Sequence, residues 1–187
     1  MVLYTDFPAG VRAKQLTDQI ALLAVGDQRT FVQFWKLDSI PSIGPLRETV
    51  ARDARAADVL IIATSSPGQD QPVLSAWINL LSATNSQRLV RGLLVGLCGD
   101  ETTNAAEMDQ VMATLFQCAD RTRSDFVWQK IKTKTTPNPA WLADPLKQLV
   151  GRKEHVANQR RADSFWAEAN ISPVTQPAQE RETLETI

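Results

Sequence analysis

The stretch Ala57–Leu81, ADVLIIATSSPGQDQPVLSAWINLL, decides the fold. Val59 to Ala63 is an unbroken apolar run, the pattern of a strand covered on both faces, as in parallel sheets flanked by helices. A polar loop holding Pro67 and Gly68 follows, and Asp70 and Pro72 then mark a helix start with Val73, Trp77, Leu80 and Leu81 along one face. A buried strand, a loop and an amphipathic helix make one half of a strand–helix–strand crossover.

The same unit recurs on either side. Val2 to Tyr4 is short and apolar, and beyond Asp6, Pro8 and Gly10 the residues Val11, Leu16, Ile20 and Leu23 continue as a helix, with Pro8 in its first turn. Phe31 to Leu37 gives a second strand whose imperfect alternation suits a sheet edge. Pro41 to Pro45 breaks the chain, and Ile43, Leu46, Val50, Ala54 and Ala57 recur at helical spacing up to the third strand. Leu89 to Cys98 is a second buried run. Gly99 and Asp100 turn it into a helix with Asn104 and Glu107 as caps and Met108, Val111, Met112, Leu115 and Phe116 toward the core. Asp125 to Ile131 supplies strand formers for a fifth strand.

Strands alternating with helices predict a three-layer α/β/α domain over residues 1–135, doubly wound around a parallel sheet of about five strands. Residues 136–187 read as an extension. Trp141, Leu142, Leu146 and Leu149 form an apolar patch, the chain is polar from Gly151, and the composition from Ile171 onward is that of a disordered tail. Phe165 and Trp166 stand out in that polar region as a pair that packs on its own chain or anchors a partner.

Bulk composition excludes several classes. Among 187 residues, 20 basic and 21 acidic side chains leave a net charge of −1, so no broad field attracts nucleic acid or anionic lipid. Cys98 and Cys118 lack metal-ligand or disulfide-framework spacing, which fits a reducing, cytoplasmic setting. The N-terminus lacks the basic and apolar regions of a secretion signal, and no stretch is long and apolar enough to span a bilayer. His155 is the single histidine, which rules out a multi-histidine metal site and a histidine-based triad in the core.

Ligands of doubly wound sheets bind beyond the carboxyl ends of the strands, at the point where strand order reverses. The loops to inspect are Thr5 to Gly10, Thr64 to Gln71 and Cys98 to Thr103. Ala57-Asp58, Thr64, Pro67, Pro72 and Trp77 lie where flavodoxins and the NADPH-dependent FMN reductases carry comparable residues, and in element order the chain resembles them across residues 1–120. That resemblance implies a flavodoxin-like fold, and as an activity an FMN-dependent reductase with Thr5, Asp6, Arg12, Thr64, Ser65, Ser66 and Asp100 around the cofactor. The sequence departs from those families in two loops. The third-strand loop has Ser65, Ser66, Gly68, Gln69 and Asp70 where an aromatic commonly stacks on the flavin, and the first-strand loop offers one hydroxyl, a carboxylate and Pro8 where a phosphate needs donors.

Asp6 also resembles the carboxylates of response-regulator receivers, although Thr64-Ser65-Ser66 holds no acidic residue to accept a phosphoryl group. Its plainer reading is a cap on the first helix, worth ~1 kcal/mol. Gly96-Leu97-Cys98-Gly99 has the outline of a nucleophile elbow, but no base accompanies it, and a small buried Cys98 is the simpler reading. These residues lead to a non-enzymatic flavodoxin- or receiver-like module that binds another protein, with no cofactor or metal expected and homo-oligomerisation left open. The alternative is the FMN-dependent reductase, and a cysteine-dependent hydrolase through Cys98 ranks third.

Overall fold

The chain folds around a five-stranded, all-parallel sheet whose order is β2-β1-β3-β4-β5. This computed structural model describes residues 1–23, 31–83, 92–99, 103–130 and 139–169. The strands are β1 (Val2–Tyr4), β2 (Phe34–Lys36), β3 (Val59–Thr64), β4 (Gly92–Cys98) and β5 (Ser124–Lys130). The helices are α1 (Phe7–Leu23), α2 (Pro45–Ala56), α3 (Pro67–Ser82), α4 (Ala105–Arg121) and α5 (Ala143–Ala169). Sequence order reverses at β1, which pairs with β2 on one side and β3 on the other. The result is the flavodoxin-like doubly wound topology.

The two faces of the sheet bury different halves of the apolar sequence. Leu3, Leu60, Ile62 and Leu94 point to the face covered by α2, α3 and α4, where Val50, Trp77, Leu81, Val111 and Leu115 close the layer. Val2, Ile61, Ala63, Leu93, Val95 and Leu97 point to the other face, against Ala13, Leu16 and Ile20 of α1, Leu142 just ahead of α5 and Leu149 within it. Alternate residues of β3 and β4 thus serve opposite cores, which is why both strands read as continuous apolar runs. Gly96 lets α4 approach, because a side chain there would meet Leu115 at 3.2 Å and Trp128 at 3.3 Å.

Several boundaries differ from the sequence reading. Helix α3 starts at Pro67, three residues before Asp70, because Pro67 takes a first-turn position where no N–H is needed. Pro72 therefore lies inside the helix and has no N–H to give to the Gly68 carbonyl. Strand β2 is confined to Phe34–Lys36, and Phe31 is 80% exposed. Ile43 lies ahead of α2 at 89% exposure, since Gly44 and Pro45 set the helix start after it. Val11 and Phe116 face outward rather than toward the core. Strand β5 begins at Ser124 and is described through Lys130; Leu89 to Arg91, Ile131 and the tail from Ile171 lie outside the described residues.

The chain after Pro139 forms a 3-10 turn, Pro139–Leu142, and then α5. Helix α5 has 27 residues, ~40 Å at 1.5 Å per residue, against ~23 Å for the seven residues of β4, so it outruns the sheet. Leu142, just ahead of the helix, and Leu149 within it are buried, whereas residues 157–161 are exposed. Phe165 and Trp166 lie on α5, but their side chains are outside the description.

Candidate functional site

The loops after β1, β3 and β4 meet at the carboxyl edge of the sheet, and Asp6 joins the first two. Asp6 stands just ahead of α1, and its Oδ1 accepts the Ala9 N–H at 2.8 Å as a helix cap. The same oxygen accepts the Ser65 hydroxyl at 2.9 Å, while Oδ2 accepts the Ser65 N–H at 3.0 Å and the Thr5 hydroxyl at 3.2 Å. One carboxylate thus gathers the donors of two loops whose residues are 59 positions apart. Burial alone would raise the Asp6 pKa, but hydrogen bonds from the Ala9 and Ser65 N–H groups and from the Ser65 and Thr5 hydroxyls outweigh it and hold the carboxyl below its ordinary value.

Arg12, one turn along α1, reaches across the same edge. Its guanidinium donates to the Ser65 hydroxyl oxygen, to the Gly99 carbonyl at 3.1 Å and to the Pro8 carbonyl at 3.2 Å. Gly99, the residue after β4, has φ +78°, a left-handed conformation that suits glycine. Ser65 therefore stands between an anion and a cation, and Arg12 ties in the third loop.

The other sequence-selected residues lie around this network. The Thr64 side chain is buried and donates to Asp70 Oδ2 at 2.6 Å across the start of α3. Ser66 is the residue before α3, makes no side-chain cap bond, and lines a cavity of about 400 Å³ with Ser65, Pro67, Gly68, Gln69, Thr103 and Glu107. Asp100 lies outside the described residues. Cys98 is fully buried, and burial pushes its thiol pKa up to about 12, so it stays protonated at neutral pH. His155 sits on the exposed surface of α5.

Glu107 is the residue that sequence reasoning placed otherwise. Asn104 caps α4 as expected, its side chain accepting the Ala106 N–H at 3.1 Å. The Glu107 carboxyl lies against Gly68 in the first turn of α3, where a Cβ on Gly68 would come within 2.7 Å of both its oxygens. No spacing in the sequence signals this contact, because it depends on α3 and α4 being neighbours. The N-terminal ends of α1 and α3, where partial positive charge collects, thus each have a carboxylate of the chain itself beside them.

The arrangement is an internally bonded polar cluster beside a small polar cavity. Among the described residues, no group of three His, Cys, Asp or Glu side chains could hold a metal ion, and no helix is long and apolar enough to cross a membrane. Cys98 and Cys118 are both free and buried. No protein family's model, curated protein or solved structure matches the chain.

Proposed function

We propose that this chain is a non-enzymatic, flavodoxin- or receiver-like module that works in the cytoplasm by binding another protein. The observation that carries the reading is the Asp6 carboxylate, which takes up the Ala9 N–H, the Ser65 N–H and the Ser65 and Thr5 hydroxyls. Those are the donors that a flavin phosphate would need at the start of α1. Arg12, the nearest cation of this cluster, is engaged with Ser65, Gly99 and Pro8. The residues present do not fit FMN: a phosphate would meet a carboxylate in the first loop, and Ser65, Ser66, Gly68 and Gln69 offer no aromatic face to the ring.

The alternative, an FMN-dependent NAD(P)H reductase, draws its support from the cavity of about 400 Å³ at the end of β3, a size within the usual range for small-molecule pockets. It requires Asp6 to give up its bonds when the phosphate arrives. A hydrolase through Cys98 has the least support, because the thiol is buried and its pKa is raised.

The visible spectrum of the protein as purified separates the first two readings. The module has no absorption above the tryptophan band. Bands of oxidised flavin in stoichiometric amount would favour the reductase.

A further inference from the structure

We infer that a cavity at the amino ends of β1, β2 and β3 binds a small uncharged molecule: two fused aromatic rings, or an apolar body of that size, carrying one hydroxyl or amide. Its walls come from the residues that lead into the strands, Met1 ahead of β1, Gln33 ahead of β2 and Asp58 ahead of β3. Because the strands are parallel, this is the opposite edge of the sheet from Asp6 and Ser65. Helices α1 and α5 and the end of α2 complete the enclosure, and its volume is about 430 Å³.

The floor of the cavity is apolar. Ile20 of α1, Ile61 of β3 and Leu149 of α5 are buried there, and Val59 and Leu146 pack against them half-buried. Phe31 and Val150 stand at the opening, 80% and 41% exposed, so a bound ring would cover apolar surface that the chain leaves in water. A dry apolar cavity of about 150 Å³ takes one benzene ring, and the larger space here has room for two fused rings with a short substituent.

The ionic groups around the opening select against a charged ligand. Lys153 Nζ meets Asp58 at 2.5 Å, Asp53 meets Arg52 at 3.5 Å, and the Met1 amino group donates to the Val59 carbonyl at 2.8 Å. The lining thus holds the carboxylates of Asp53 and Asp58 against the cations of Met1 and Lys153, and each of the four already has an oppositely polarised partner. A ligand carboxylate would have to take Lys153 from Asp58, and a ligand ammonium would have to take Asp58 from Lys153. Either exchange leaves one charge uncompensated beside an apolar floor. An uncharged ligand leaves every pair intact. Its one polar group meets the Gln33 amide, which both donates and accepts, or the Thr17 hydroxyl, which donates to the Lys14 carbonyl at 2.8 Å and so is left to accept.

This inference is independent of the proposed function, because it concerns the other edge of the sheet. The uncharged fluorophore N-phenyl-1-naphthylamine, titrated into the full chain, tests it, with displacement by 2-naphthalenemethanol, 2-naphthoate and 2-naphthylmethylammonium. The expected result is saturable enhancement at one probe per chain, reversed by the alcohol at roughly a tenth of the concentration that either charged analogue needs. Leu146→Trp, which fills the cavity, should weaken probe binding roughly tenfold. Lys153→Met leaves Asp58 unpaired and should move the preference toward the ammonium. Asp58→Asn frees Lys153 and should move it toward the carboxylate, and the double variant should return it to the alcohol. No saturable binding, probe uptake at many equivalents per chain, charged analogues that displace as well as the alcohol, or a preference indifferent to Lys153→Met and Asp58→Asn overturns the inference. So does a folded Leu146→Trp that binds the probe as the wild type does. If Leu146→Trp fails to fold by circular dichroism, the Lys153→Met and Asp58→Asn pair decides alone, since both side chains are exposed at the opening.

Discussion

Asp6 carries more of the site's geometry than any other side chain, and its consequences can be measured. It accepts two backbone N–H groups and two hydroxyls, so Asp6→Asn keeps the cap but removes the charge from the remaining bonds. The expected loss is about 1–3 kcal/mol, read from urea unfolding at neutral pH. The pH dependence has a definite sign. The folded state lowers the Asp6 pKa, so the stabilisation is present above the ordinary carboxylate value and is lost as pH falls through the lowered one. The stability gap between wild type and Asp6→Asn should therefore be full at pH 6 and shrink below about pH 4, where unfolded aspartate titrates. A gap that stays constant into acid would show that charge is not what Asp6 contributes. Cys98 gives the second test at this scale. A fully buried thiol whose pKa is near 12 should react with a thiol reagent only as fast as the protein opens. Rapid labelling in the native state, abolished by Cys98→Ser and retained in Cys118→Ser, would contradict this.

Sequence anticipated the local half of this chemistry. That Asp6 caps a helix three residues ahead of Ala9 is a short-range fact. That it also binds Ser65 depends on β1 and β3 being adjacent, and that Glu107 meets Gly68 depends on α3 and α4 being adjacent. Residue order does not carry either contact until the topology is known.

The secondary-structure elements were legible in proportion to how much they bury. Strands β3 and β4 read as apolar runs because they are covered on both faces, whereas β2 shrank to three residues at the open edge. Helix α5 left the weakest signal: among its described side chains Leu149 is buried and residues 157–161 are exposed, so this stretch carries no continuous apolar stripe. Helix α4 is the most testable element. Asn104 accepts the Ala106 N–H at its start, so Asn104→Ala should cost about 1 kcal/mol. Leu115 is fully buried between α4 and the sheet at the place where Gly96 opens room for it, so Leu115→Ala should cost about 2–5 kcal/mol. Chemical denaturation midpoints check both, and a Leu115→Ala loss below 1 kcal/mol would mean that α4 is not packed as described.

At the scale of the whole molecule, the parallel order β2-β1-β3-β4-β5 brings the ends of β1, β3 and β4 to one edge, where related architectures hold their ligands. In this chain that edge is occupied by its own charges. Asp6 and Arg12 bind the loops to each other through Ser65, and Glu107 lies at the start of α3. The architecture could be argued from periodicity and turn residues alone, but what the edge does turns on whether those internal bonds give way to a ligand. Titrating the protein with FMN and following flavin fluorescence tests this most directly. The account predicts no saturable quenching through the low micromolar range. Saturation at submicromolar FMN, lost in Arg12→Ala or Ser65→Ala, would contradict it and make the flavin reductase the better reading.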